Sequence, residues 1–231
     1  MISPEPLLIL ASKSPRRREL LNSIGVKFEV EPAHIDESLQ NEHTPEEIVI
    51  RLCEEKSRVV AARYPEHFVL AADTIVVLRD RAAGFHVLNQ PADDEESRQM
   101  LAQLSGRTHE VFTGFCLRRK SDDVCQTRVV QTVVQFKKLS TREIEAYVAS
   151  GEGRDKAGSY GAQGIGAMLI ERIDGSYTNV VGLPLTEVAD VLEQYQLWDP
   201  AALAFVQTHH GSGDHHKVPR TSGGVTHDND F

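Results

Sequence analysis

The hydrophobic pattern opens with four apolar residues in a row, Leu7-Leu8-Ile9-Leu10, which predict a short buried strand. Ser12-Lys13-Ser14 breaks the run. Ser14 suits an N-cap and Pro15 the first helical position, so a helix is expected over 15–23, ended by Gly25. Alternation over Lys27–Glu31 predicts a second strand, and Ile35–Ser38 enters a polar connection. Thr44-Pro45-Glu46-Glu47 combines a capping hydroxyl, a proline and early acids, and starts a helix reaching about Arg63. Phe68–Ala72 reads as a buried strand that ends at Asp73-Thr74 and resumes as Ile75–Leu78, because a carboxylate inside an apolar run is costly unless paired. Residues 79–91 form a loop or hairpin.

An acid-led helix follows from Asp93 to about Leu104. Two alternating strands, about His109–Leu117 and Thr127–Phe136, flank a charged hairpin. Ser140 caps another helix, a glycine-rich stretch runs from Gly151 to Gly166, Ala167–Glu171 reads as a strand, and the last helix covers about 185–195. Strands and helices mix, so an α/β class with a mixed sheet is expected. After about residue 207 Gly, Ser, Asp and His dominate, with five of the ten histidines there, and a disordered tail over 208–231 is expected behind a single domain over 1–207.

Composition narrows the function. A net charge of −9 over 231 residues argues against general nucleic-acid binding but leaves room for a local basic pocket. No run is long enough to span a membrane and no signal peptide is seen. Cys53, Cys116 and Cys125 are odd in number and lack metal-ligand spacing, which fits a reduced, cytoplasmic setting and buried small side chains.

The candidate chemistry starts at the first turn. A strand, a polar turn and a helix N-terminus bring free N–H groups, two hydroxyls and Lys13, Arg16, Arg17 and Arg18 together, an arrangement suited to phosphate. Glu37 and Asp73 are acids at apparent strand ends, and Lys56, Asp155, Lys156 and Gln163 complete a polar set. Two carboxylates with phosphate oxygens and water suit Mg²⁺; a carboxylate also suits a general base. Each residue has an ordinary use as well: Glu37 as a solvated loop acid, Lys56 as a surface lysine, Asp73 as a turn former, Asp155-Lys156 as a local ion pair. Spacing alone does not bring them together.

Six segments in order, LASKSPRRRELL, IDES, RLCEEKSRVVA, AADTIVV, LSGRTHEVFTG and GEGRDKAGSYGAQGIGAMLIERIDGSYTNVVGLPL, resemble the Maf family of nucleoside triphosphate pyrophosphatases. The resemblance implies an elongated two-lobed α/β fold like that of the inosine triphosphate pyrophosphatases, with a central cleft. It implies hydrolysis of a nucleoside triphosphate to monophosphate and pyrophosphate with a divalent cation, Mg²⁺ or Mn²⁺. By position, Ser12, Arg16 and Arg17 would hold the triphosphate, Glu37 and Asp73 would bind metal or activate water, and Lys56 and Lys156 would neutralise phosphate charge.

Arg16, Thr74 and Gln163 resemble the trio of the members that prefer dTTP and UTP. A homodimer is an arrangement the resemblance allows. In two places the chain departs from the family's pattern: Gln90 stands where a lysine is usual, and Gly153 where proline is frequent, from which local loosening is expected. Gln90 keeps a second reading open, a nucleotide-binding regulator of growth or division with little turnover. Arg79 or Arg81 would be the nearby substitutes for the missing charge.

Overall fold

The computed structural model describes residues 8–40, 42–80 and 84–205. The expected tail at 208–231 and Arg81 lie outside the described residues, as does Leu7 of the first apolar run. The chain forms β1 (Leu8–Leu10), α1 (Pro15–Ser23), β2 (Glu29–Val30), α2 (Pro45–Arg63), β3 (Phe68–Asp80), β4 (Gly84–Leu88), α3 (Asp94–Leu104), β5 (Thr108–Arg119), β6 (Val124–Phe136), α4 (Thr141–Ser150), β7 (Ile170–Asp174), α5 (Tyr177–Val181) and α6 (Leu185–Gln194). The described strands make one mixed sheet in the order β2-β1-β3-β5-β6-β7, with β4 against β3. β1 is parallel to β2 and β3, and the other pairings are antiparallel.

The helix starts follow from local chemistry. Ser14 Oγ accepts from the Arg17 N–H with Pro15 behind it. Thr44 and Ser140 each close a reciprocal capping box, with Glu47 and Glu143. Asp93 caps α3 through the Glu96 N–H.

β3 corrects the expectation of a strand interrupted at Asp73-Thr74, for it runs unbroken through both residues. Its β5 edge is paired in register from Val69 to Val77. On its other edge β1 pairs residues 68–70 and β4 pairs 76–80. Residues 71–75 therefore face neither neighbour in register, and a cleft opens at that gap.

The two-residue period of the strand sorts the core. Phe68, Leu70 and Ala72 join one apolar cluster with α1, α5 and α6, while Val76 and Leu78 join another with α3 and α4. On the opposite face Val69 and Ala71 pack under the second half of α2, and Ile75 and Val77 under its first half. Asp73 and Thr74 are thus the polar seam between two halves of the core, one on each face.

α2 lies close to the sheet because Gly114, opposite Asp73 in β5, has no side chain. A Cβ there would sit 2.7 Å from the Val49 carbonyl oxygen.

One local expectation shifts. The strand read at Ala167–Glu171 begins at Ile170, because Gly164–Leu169 coils into a 3₁₀ helix held by Glu152. Gly153 sits at a close contact between two backbone segments. A Cβ on it would lie 2.2 Å from the Ser159 carbonyl oxygen, so the two backbone segments touch only because it is glycine.

Candidate active site

The cleft has a volume of about 1230 Å³ and is lined by the β1–α1 turn, the 33–39 connection, α2, the middle of β3 and the glycine-rich loop. It gathers Ser12, Arg16, Arg17, Glu37, Lys56, Asp73, Thr74, Lys156 and Gln163. Gln90, Asp155 and Lys13 line it as well, whereas Arg18 of the first-turn cations does not.

At the bottom, Lys56 extends from α2 onto the sheet. Its Nζ lies 2.5 Å from Asp73 Oδ1 and 2.8 Å from Glu37 Oε1. Lys56 and Asp73 are buried; the Glu37 side chain is 59% exposed and reaches in from a connection whose turn is fixed by Asp36 accepting the Ser38 N–H. This pairing is why Asp73 can stay inside a strand: its charge is matched at the point where it leaves water. Two carboxylates already converge on one cation, so the donor set fits a divalent ion that takes one or two carboxylates and fills its shell with water and phosphate oxygens. Among the described residues no group of three or more His, Cys, Asp or Glu side chains could hold a metal ion, so the remaining ligands would not come from such side chains.

On the other face of β3, Arg17 is clamped at three points. Nε donates to the Gly182 carbonyl at 2.8 Å, Nη1 to Ser12 Oγ at 3.2 Å and Nη2 to Thr74 Oγ1 at 3.1 Å. Burial pulls the guanidinium below its ordinary value and nearby Asp73 opposes that pull. Thr74 passes the network on, with Thr113 Oγ1 at 2.9 Å and Thr113 donating to the Asn179 carbonyl at 3.2 Å. Ser12 Oγ also accepts the Ser14 N–H at 3.2 Å, which fixes the turn.

The third wall is the glycine-rich loop. Arg16 meets Asp155 at 3.1 Å, and the other Asp155 oxygen lies 2.6 Å from Lys156 Nζ. Lys156 also donates to the Glu152 carbonyl. Burial pushes Asp155 up, but Lys156 and Arg16 outweigh it and hold the carboxyl below its usual range. Gln90 donates to the Asp155 backbone carbonyl at 3.1 Å, so its amide braces the loop from the β4–α3 side. Arg79, which the sequence offered as a spare cation, pairs instead with Glu110 at 2.6 Å.

Sequence reasoning missed Glu152, Thr113 and Asn179. Glu152 accepts from the Tyr147 hydroxyl and from the N–H groups of Ile165 and Gly166, which shapes the loop around Gln163. Asn179 is fully buried and donates to Val111 O and Thr132 Oγ1. Each is one polar residue in an ordinary-looking segment, with no pattern to mark it.

Comparison with known proteins places the chain in a family. The model of the family described as Maf-like protein matches residues 7–195. The chain is 48% identical over 209 residues to a dTTP/UTP pyrophosphatase of Syntrophus aciditrophicus (strain SB), covering 90% of this chain and 94% of that one. It is 47% identical over 194 residues to a dTTP/UTP pyrophosphatase of Myxococcus xanthus (strain DK1622), covering 84% and 95%. Among solved structures it is similar to a HAM1 protein from Coxiella burnetii, at a TM-score of 0.48 and 16% identity over 82% of this chain and 99% of that one.

Proposed function

The chain belongs to the Maf family, and we propose that it hydrolyses nucleoside triphosphates, dTTP and UTP foremost, to the monophosphate and pyrophosphate. The relatives named dTTP/UTP pyrophosphatase support the substrate class. The observation that carries the chemistry is the convergence of Asp73 and Glu37 on Lys56 at the floor of a cleft whose walls bear Arg16, Arg17 and Lys156.

In this reading the triphosphate lies along the β1–α1 turn. Arg17, held rigid by Gly182, Ser12 and Thr74, binds phosphate oxygens without having to be ordered first, and Arg16 and Lys156 turn from Asp155 to the substrate. Water attacks the α-phosphorus, and Asp73 accepts its proton. Lys56 holds Asp73 and Glu37 in place and opposes the growing negative charge. Asp73 and Glu37 would hold a divalent cation, Mg²⁺ or Mn²⁺, which when bound supplies charge to the phosphoryl oxygens and lowers the pKa of water. Gln163, on the wall, offers a donor and an acceptor that match the paired edge of a pyrimidine.

Release of pyrophosphate against single phosphate from dTTP, UTP, CTP, GTP and 7-methyl-GTP tests the proposal. Pyrophosphate from dTTP and UTP, lost in Asp73→Asn, is the expected result. Nucleotide binding without turnover would overturn it in favour of the regulatory reading that Gln90 keeps open.

A further inference from the structure

A second cluster lies on the α2 face of the sheet, away from the cleft lining. Cys116 of β5 and Cys125 of β6 bring their Sγ atoms to 3.9 Å. Cys116 is buried and Cys125 exposed. Arg118 spans the two: its Nη2 lies 2.9 Å from Cys125 Sγ, and its Nε donates at 3.0 Å to Ser57 Oγ, which donates in turn to Cys116 Sγ at 3.2 Å. Four side chains close a ring, and Ser57 follows Lys56 on α2. Burial raises the Cys116 thiol to about 11, with Ser57 and Thr127 moderating it, so it stays protonated. Cys53, on the same helix face, is raised further by burial and donates to the Ile50 carbonyl at 3.2 Å.

We propose that Cys125 and Cys116 form a peroxide-sensitive dithiol that closes reversibly to a disulfide and thereby loosens α2 beside Lys56. Cys125 is the exposed sulfur of the pair and therefore the one an oxidant reaches first. The Cys125 sulfur attacks one oxygen of a hydroperoxide and the O–O bond breaks. Cys125 is left as a sulfenic acid, and the other oxygen departs as an alcohol or water. The Cys116 sulfur then attacks the Cys125 sulfur; hydroxide leaves and takes the Cys116 proton as water. Two thiols are oxidised and one peroxide is reduced, with no other reactant.

The register gives this closure its consequence. Cys116 faces Thr127 and Cys125 faces Arg118, so the two cysteines are diagonal neighbours. Their sulfurs must approach by about 2 Å, which needs backbone movement. That movement draws Cys116 from Ser57 and Cys125 from Arg118. The effect on Lys56 rests on the function proposed above; the oxidation itself does not.

The test treats the full chain with hydrogen peroxide and maps its peptides. The expected product is a Cys116–Cys125 disulfide with Cys53 still a free thiol, reversed by dithiothreitol. Cys116→Ser should stop at a sulfenic acid on Cys125 that dimedone traps, and Cys125→Ser, a change at an exposed position, should resist oxidation. Oxidised wild type should turn over several-fold more slowly and exchange amide hydrogens faster in the second half of α2. A disulfide to Cys53, or no disulfide at peroxide levels that oxidise a free thiol, overturns the proposal. A mapped Cys116–Cys125 disulfide with unchanged turnover and exchange overturns the link to Lys56.

Discussion

The Lys56 ammonium and the Asp73 carboxylate, 17 residues apart in sequence, meet at 2.5 Å beneath the cleft, and each is the reason the other can be buried. Removing Lys56 leaves the Asp73 charge without its match, whereas removing Asp73 leaves Lys56 paired with Glu37. Lys56→Met should cost about 3–5 kcal/mol of stability, read as a lower denaturant midpoint. Asp73→Asn should fold, bind nucleotide within a few-fold of wild type, and lose about 100-fold or more in kcat.

Gly114 lets α2 approach the sheet, and its effect should reach the active site through the helix. Gly114→Ala puts a methyl group 2.7 Å from Val49 O, so α2 must lift. A loss of about 1–3 kcal/mol is expected, with turnover falling as Lys56 moves off Asp73. Thermal melts and steady-state kinetics on the same preparation check it.

Asp155 pairs with both Arg16 and Lys156 before substrate arrives. Asp155→Asn keeps the backbone carbonyl that Gln90 holds and frees both cations. KM for the triphosphate should fall several-fold and rise more steeply with salt than in wild type. An unchanged KM would mean that the ion pairs do not compete with phosphate.

Gln163 is among the residues that line the cleft wall. Gln163→Glu replaces the amide donor with a second acceptor and adds a charge. The preference for dTTP and UTP over CTP and GTP should collapse, measured as ratios of kcat/KM; a variant that keeps its pyrimidine preference would remove Gln163 from base recognition.

His109 sets an acid limit on stability. It is buried, its Nε2 is 2.7 Å from the Tyr160 hydroxyl, and burial lowers its pKa to about 4 from an ordinary 6.5. Between these values the unfolded chain holds a proton that the folded chain does not, so stability rises with pH across the window. The contribution is fully present above about 6.5 and is lost as pH falls to about 4, a difference of about 3 kcal/mol. His109→Gln, which retains a hydrogen-bonding group for Tyr160, should flatten denaturation midpoints across that range.

Much of the fold was legible because it is written locally. Ser14-Pro15 and the Thr44 and Ser140 boxes announce their helices within four residues, and the alternation at the end of β6 marks Thr132, Val134 and Phe136 as its buried face, whereas β5 is buried on both faces from Val111 to Leu117. What failed was non-local. The cost of an unpaired carboxylate argued for a break at Asp73, and the lysine that removes that cost is on another element. Likewise the strand expected at Ala167 gives way to a coil because Glu152, more than ten residues earlier, captures two backbone N–H groups. Most of the cleft residues were candidates by type and position, and resemblance to a family gave them their roles. That Arg17 is a clamped cation, while Arg16 and Lys156 are held by Asp155, required the geometry.

The alternation at the polar seam has a consequence for how this protein can be altered by insertion or deletion. Asp73 and Thr74 owe their opposite faces to an uninterrupted count from Phe68. One residue gained or lost between Phe68 and Asp73 would swap their faces, turning the threonine towards α2 and the carboxylate towards the face that carries Arg17. Length changes beyond Asp80, where the register against β5 is already set, leave that assignment intact. Tolerance to changes in length along β3 is therefore one-sided, and a library that varies the β3–β4 connection will yield active chains where one that varies the start of the strand will not.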